Sequence, residues 1–402
     1  MQQVVLLLPL FLLLPDLYIH FVHLRQLRRR RLWLALLWAP TLLLIAAFGG
    51  LMLGGGPNTM AHHAHAVGLL AILLFLNGLP KLLFVLCSLV GQLCHLLVRT
   101  LPRTPFLALG GALGMVVFGG ILYGALSGYR HLEVKQVRYA SPRLPAGFDG
   151  YRIVQLSDIH LGSWAHQPEV IEELVAKVNA LHPDLILFTG DLVNQRSTEL
   201  DPFVEILGRL HASDGVYSVL GNHDYGDYYR WSSPEEKQAD RQHLLRQEAR
   251  MGWQLLNNDH CLLYSRGDSL TLAGVENDGE PPFPQHADLQ CALADSDSLF
   301  TILLSHNPTH WRREVLPQSR VDLTLSGHTH AMQVVLFGHS LSTLRYPEWR
   351  GFYYEGTRAL YVNIGIGYVG LPFRFGARPE ITLLTLECSP SGDAIHPTTQ
   401  QE

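Results

Sequence analysis

The chain has 402 residues, 48% of them hydrophobic and only 16% charged, with a formal net charge of −5. That charge fraction is well below the ~25% usual in soluble domains, and the acidic balance gives no case for a nucleic-acid binder. Of five scattered cysteines, Cys87 and Cys94 lie in an apolar run, while Cys261, Cys291 and Cys388 show neither zinc-site nor disulfide spacing and read as buried thiols.

Four apolar stretches open the chain, from Val4 to Val22, Leu32 to Gly54, Ala66 to Leu97 and Phe106 to Ser127. Each is near or above the ~20 residues that a helix needs to cross ~30 Å of hydrocarbon. Pro9, Pro15 and Asp16 kink the first, while Asn77, Pro80 and Lys81 interrupt the third. Met1-Gln2-Gln3 lacks the positive charge of a signal peptide, so the first stretch is expected to stay. Arg25 and Arg28-Arg29-Arg30-Arg31 fall between spans one and two, and Arg99 and Arg103 between three and four. The positive-inside rule puts those loops in the cytoplasm and the remainder of the chain outside it, as in a bacterial inner membrane. Arg130, Lys135, Arg138 and Arg143 after span four weigh against that orientation. His62, His63 and His65 read as a solvated loop.

Residues 129–150 form a linker holding one alternating strand, Leu132 to Tyr139. From Tyr151, short apolar strands alternate with helical patterns. Strands are expected at 152–156, 184–188, 216–220, 270–275, 299–304, 321–325, 359–363 and 381–386. Helices are expected at 168–181, 202–210, 234–251 and 309–315. This is an α/β domain over 151–388, followed by a polar tail, 389–402, expected to be disordered.

Five strands each end in a short polar motif: Ser157-Asp158-Ile159-His160, Gly190-Asp191, Gly221-Asn222-His223-Asp224, Ser305-His306-Asn307 and Gly327-His328-Thr329-His330. In α/β sheets, sites form beyond the carboxyl ends of strands, so the five motifs should converge. Their Asp, His and Asn side chains offer hard oxygen and borderline nitrogen donors, which suit Mn, Fe, Zn or Co. The donors exceed the needs of one ion, so two divalent metal ions are expected, with Asp191 as the bridging carboxylate. Gly365-Ile-Gly367-Tyr-Val-Gly370 matches a dinucleotide fingerprint, but Pro372 and Phe373 follow where a helix is required, so NAD is not expected.

In this order the motifs resemble the calcineurin-like metallophosphoesterase superfamily over Tyr151 to Leu386. Tyr346-Pro347, Gly351-Phe352-Tyr353 and Arg378-Pro379-Glu380-Ile381 look like its YkuE-type branch. The resemblance implies a four-layer sandwich of two β-sheets flanked by helices. It implies that Asp158, His160 and His330 hold one metal, that Asn222, His306 and His328 hold the other, and that Asp191 is shared. His223 would then serve the leaving group, with Asp224 orienting it. Related enzymes cleave the pyrophosphate of UDP-2,3-diacylglucosamine, so a lipid-linked or envelope phosphate ester is the expected substrate. Arg350, Arg374 and Arg378 are candidates to hold a diphosphate. The sequence departs from the branch at Ala331-Met332, where many members carry two glycines. A phosphomonoesterase or protein phosphatase, and a membrane sensor with a structural metal site, are the competing readings.

Overall fold

A computed structural model describes residues 2–25, 30–54, 58, 62–281, 283, 285–294 and 298–389. Arg28, Arg29 and the polar tail from 390 onward lie outside the described residues. The chain divides into two compact units, Met1–Gly128 with Gly370–Phe375, and Tyr129–Val369 with Gly376–Glu402.

The first unit is helical. The four apolar stretches form α1 (Gln2–Ile19), α2 (Arg30–Gly54), α3 (Ala64–Leu97) and α4 (Thr104–Tyr123). Three helical segments, Arg31–Leu51, Ala64–Leu97 and Thr104–Gly128, are long and apolar enough to cross a membrane; Leu10–Leu24 is a shorter apolar helix. Small residues let α3 and α4 approach closely. A Cβ on Gly110 would lie 2.9 Å from Cys87 and 3.0 Å from the Phe84 backbone, and one on Gly114 would lie 3.1 Å from the Pro80 carbonyl. Leu43, Met115 and Val116 point outward, more than two-thirds exposed, as side chains facing lipid do.

Polar groups meet inside this bundle. Lys81 Nζ stands 2.7 Å from Asp16 Oδ1. It also donates to Thr41 Oγ1 at 3.2 Å and to the Leu37 carbonyl at 3.3 Å. Thr41 donates to Asp16 Oδ2 at 2.5 Å, and Asn77 donates to Thr41 at 2.8 Å. All three ammonium hydrogens thus find acceptors, and the node ties α1, α2 and α3 together. Segment Gly370–Phe375 belongs to the same unit, where the Arg374 N–H donates to the Gly124 carbonyl and Phe375 packs edge-on against Tyr123.

The second unit holds two six-stranded sheets. The first runs β1 (Glu133–Ser141), β12 (Glu380–Cys388), β2 (Arg152–Leu156), β3 (Leu185–Phe188), β4 (Val216–Ser218), β5 (Gln254–Leu255). The second runs β10 (Gly351–Glu355), β11 (Arg358–Val362), β9 (Leu323–Ser326), β8 (Thr301–Leu304), β7 (Asp268–Gly274), β6 (Asp259–Ser265). Strands β2 to β5 are parallel, as are β7, β8, β9 and β11. The strand expected inside 129–150 is β1, an edge strand paired with β12 over its whole length.

Side chains alternate between faces with the period of two that strands impose. Ile153, Leu185, Leu187, Ile302, Leu304, Leu323, Leu325 and Tyr361 fill the core between the sheets. Val154, Leu156, Ile186 and Phe188 point the other way, into a core shared with the helices Pro168–Ala180 and Pro234–Arg250. Leu303, Leu360 and Val362 do the same on the second sheet, against Leu289, Trp311 and Val315. The result is four layers. The helix expected at 202–210 is only a 3-10 turn and Val204–Leu207; none of the three cysteines expected to be buried is so, Cys261 being half-buried and Cys291 and Cys388 exposed.

Candidate metal centre

The carboxyl ends of β2, β3, β4, β8, β9 and β11 open on one edge, and the loops after them carry the polar motifs. Asp158, His160, Asp191, His328 and His330 all adopt positive φ, between 48° and 74°. For residues with a Cβ this conformation costs roughly 1–2 kcal/mol each. Five of the seven metal-ligand candidates are therefore held in strained backbone, a cost the surrounding strands must offset. Tight packing enforces the turns: a Cβ on Gly327 would fall 1.8 Å from Ser157 Oγ and 2.3 Å from Asp158 Oδ2. The glycine-rich segment after β11 serves the same purpose, because Gly365, at φ 77°, lies against the Asp158 side chain and the His330 ring.

Two groups of donors result. In the first, Asp158 Oδ1 is 3.2 Å from His330 Nε2, and that nitrogen is 3.0 Å from His160 Nε2. In the second, His306 Nε2 is 3.2 Å from Asp191 Oδ2, from Asn222 Oδ1 and from His328 Nδ1. Asp191 Oδ2 also stands 3.6 Å from His160 Nε2, so one carboxylate faces both groups. Nearly all of these side chains are buried.

The tautomers follow from the second nitrogens. His160 Nδ1 faces the Val193 carbonyl at 3.3 Å and His306 Nδ1 the Thr189 carbonyl at 2.8 Å, so each must carry its proton there. That leaves Nε2 lone pairs aimed into the cluster. Lone pairs and carboxylate oxygens about 3 Å apart repel one another, and a cation among them removes the repulsion. The donor set fits divalent metal ions of the Mn, Fe, Zn or Co type.

Charge follows the same geometry. Burial would raise the Asp191 carboxyl, but His306 and His223 outweigh it and hold it well below the usual carboxylate range. Burial also opposes ionisation of Asp158, and His330 overcomes it. Burial lowers His306, but Asp191 more than compensates and pushes it up to about 9, a second proton that must leave Nε2 before that nitrogen can bind a metal; burial and then His306 drive His328 down to about 3.

His223 is half-buried beside this cluster. Its backbone N–H donates to Asp191 Oδ1 at 2.8 Å, and its ring lies 4.8 Å from that of His160. Its Nδ1 bonds the Asn194 carbonyl, not Asp224. The Asp224 carboxylate instead accepts the backbone N–H groups of Gly221, Asp191, Leu192 and Val193, which ties the β3 and β4 loops together and leaves it no role on the His223 ring. Tyr228 went unnoticed in the sequence. Its ring stacks on His223 at 4.1 Å and its hydroxyl accepts from Asn222 Nδ2.

The arginines fall elsewhere. Arg374 is buried in the helical unit, and Arg378 forms an exposed pair with Glu133 at 3.9 Å. Arg350 lies over the Trp349 ring, and the Trp349 carbonyl accepts from Thr329 between the two histidines of the fifth motif. A further donor group, Asp278, His310 and Glu314, is an ion-pair network engaged by Arg313, with His310 Nδ1 on Ser305 Oγ at 2.9 Å, bracing the loop that carries His306.

Residues 151–332 match the family described as calcineurin-like phosphoesterase, and residues 2–129 match a probable calcineurin-like phosphoesterase transmembrane domain. The uncharacterized metallophosphoesterase YkuE of Bacillus subtilis is 32% identical over 305 residues, covering 72% of this chain and 99% of that protein. The chain belongs to the calcineurin-like phosphoesterase family. This phosphoesterase is also 32% identical to a bovine (Bos taurus) transmembrane protein with metallophosphoesterase domain, over 80% of this chain and 71% of that one. It is 29% identical to the UDP-2,3-diacylglucosamine pyrophosphatase LpxG of Chlamydia trachomatis, over 63% of this chain and 88% of that protein. The phosphoesterase is thus a metal-dependent phosphoester hydrolase with an N-terminal membrane region.

Proposed function

We propose that this chain hydrolyses a phosphodiester or pyrophosphate bond of a lipid-linked or envelope phosphate ester, with two divalent ions. The observation that carries the reading is the Asp191 carboxylate, which faces both donor groups with His223 beside it. Asp158, His160 and His330 would hold one ion and Asn222, His306 and His328 the other, with Asp191 between them. Bound there, the ions supply Lewis acidity and a water acidified from pKa 15.7 toward ~7.

His223 handles the leaving group. A carbonyl can only accept, so Nδ1 keeps its proton against Asn194 and Nε2 is the nitrogen that gives one up. The leaving oxygen takes that proton while the neutral Nδ1–H tautomer stays in place, help worth roughly 10²–10⁴-fold. Arg350, beside the Trp349 carbonyl that holds Thr329, is the one arginine we retain for phosphate contact.

The lipid-linked substrate is supported by the membrane region and by the named activity of LpxG. The arginine loops support a catalytic domain outside the cytoplasm, which a reporter fused at the C terminus would test, and we infer a bacterial inner membrane from the kinship with bacterial YkuE and LpxG.

The deciding assay gives the Mn-loaded protein bis-p-nitrophenyl phosphate, p-nitrophenyl phosphate and UDP-2,3-diacylglucosamine. Hydrolysis of the diester or pyrophosphate, lost in Asp191→Ala and His223→Ala, supports the reading. Preference for the monoester makes the protein a phosphatase. Metal binding without turnover on any of them would favour either a hydrolase selective for another phosphate ester or a sensor with a structural metal site.

A further inference from the structure

The loop from Ala331 to Tyr346 is tied to the metal-ligand cluster at both ends. His330 precedes it, and Tyr346 closes it with its hydroxyl 2.9 Å from His328 Nε2. Between them the loop is well built. Leu336 and His339 exchange both backbone hydrogen bonds, at 2.8 and 2.9 Å, and Ser340 Oγ donates to the Ala331 carbonyl. Ala331, Val335 and Tyr346 form a small core with Trp349, Ile364 and Ala377.

Large apolar side chains remain outside that core. Phe337 is 99% exposed, Leu344 84%, Leu341 67%, Leu336 49% and Met332 47%. Phe337 also occupies the hairpin tip at φ 51°, ahead of Gly338 at φ 80°. Tips of this kind favour Asn or Gly, and a bulky aromatic is disfavoured there. An aromatic is therefore kept against both its conformational preference and its solvation. Five large apolar side chains left exposed within one 16-residue loop mark an interaction site.

The chain's own connections name the occupant. Only Tyr129 to Leu132 separate the last apolar helix from β1, a reach of at most ~14 Å at ~3.5 Å per residue. The chain also re-enters the helical unit at Gly370–Phe375. So short a tether to a membrane-spanning helix keeps lipid within the reach of the attached domain. Arg345, exposed within the same loop and paired with Glu280 at 2.8 Å, is a cation for which an anionic headgroup can compete at that surface.

We propose that the 331–346 loop is a membrane-docking hairpin that inserts Phe337, Leu341 and Leu344 among lipid headgroups and sets the metal-ligand cluster at the bilayer surface. The test uses the full chain in vesicles of phosphatidylethanolamine and phosphatidylglycerol, with its five unpaired cysteines replaced. Nitroxide labels go on Phe337→Cys, Leu344→Cys and, as a control, Tyr264→Cys, which is 69% exposed on another hairpin. Collision with dissolved oxygen should exceed collision with a water-soluble nickel chelate at Phe337 and Leu344, with the reverse at Tyr264. Water-like collision at all three sites would overturn the proposal. So would dipolar broadening between labels on Phe337, which would assign the patch to a second copy of the chain. The readout does not involve turnover, so it fails or succeeds separately from the hydrolytic assays.

Discussion

His223 Nδ1 lies 2.5 Å from the Asn194 carbonyl oxygen. Asn194 is fixed from two sides. Glu199 accepts its backbone N–H at 2.6 Å, and its side chain exchanges hydrogen bonds with the Ser163 N–H and Oγ at 3.1 and 3.0 Å. The orientation of the imidazole thus depends on a carboxylate that touches neither metal ligands nor substrate. Glu199→Ala should lower kcat about 10-fold, within the 10–100-fold cost of lost outer partners. The loss should grow as the leaving group worsens from p-nitrophenol to an alkyl alcohol, as it also should for His223→Ala. Equal losses on all leaving groups, alongside a steepened dependence for His223→Ala, would remove Glu199 from this role.

Asp191 belongs to both donor groups, so its loss should weaken both. Asp191→Asn is expected to reduce bound Mn to at most one ion per chain by elemental analysis, and to cut kcat/KM more than 100-fold. Mn at ~100 times its dissociation constant should stabilise the wild type by about 2.7 kcal/mol, read as a raised Tm that a chelator reverses. Asp191→Asn should show little of that rise.

Glu248 is a buried carboxyl that accepts from Ser218 Oγ at 2.6 Å, and burial lifts its pKa to about 7. The folded state therefore holds this proton more tightly than the unfolded chain, whose value is near 4.5. Its contribution is fully present below about pH 4.5 and is lost as pH rises through about 7, a swing on the order of 3 kcal/mol. Glu248→Gln keeps an acceptor for Ser218 and cannot ionise. Its Tm should exceed that of the wild type by several degrees at pH 8, with the gap closing toward pH 5.

Within the helical unit, Lys81→Met leaves Asp16 buried without its counter-charge. Losing one partner of such a pair costs roughly 3–5 kcal/mol, whereas replacing both is often neutral. Lys81→Met should therefore yield little folded protein in detergent by size-exclusion chromatography. The double change Asp16→Leu with Lys81→Met should restore it. Equal recovery of single and double variants would mean that the pair does not organise the helices.

The parts legible in the sequence were those in which an apolar strand runs directly into a polar motif. Ile153 to Leu156 and Leu185 to Phe188 fix the backbone, so Asp158 and Asp191 had to emerge at one edge. Strands β6 and β10 escaped notice because edge strands mix polar and half-exposed residues, as in Asp259–Ser265 and Gly351–Glu355. The link between Asn194 and His223 was invisible for another reason: a backbone carbonyl leaves no residue signature. Asp224 looked like the orienting group by adjacency, but its oxygens were already committed to four amides. Arg374 looked like an anion binder from its charge, and only the fold shows its segment grouped with the helices.

That grouping bears on how the protein can be handled. The stretch Leu371-Pro372-Phe373-Arg374-Phe375 lies more than 240 positions beyond the last apolar helix, yet it packs with that helical unit. Cutting the chain after Gly128 would not yield a self-sufficient soluble fragment. The fragment would carry Phe373 and Phe375 stripped of their cover, with the Arg374 backbone deprived of its Gly124 acceptor. Preparations begun at Tyr129 should aggregate unless those two phenylalanines are exchanged for polar residues, so the intact polypeptide in a bilayer mimetic is the proper object of study.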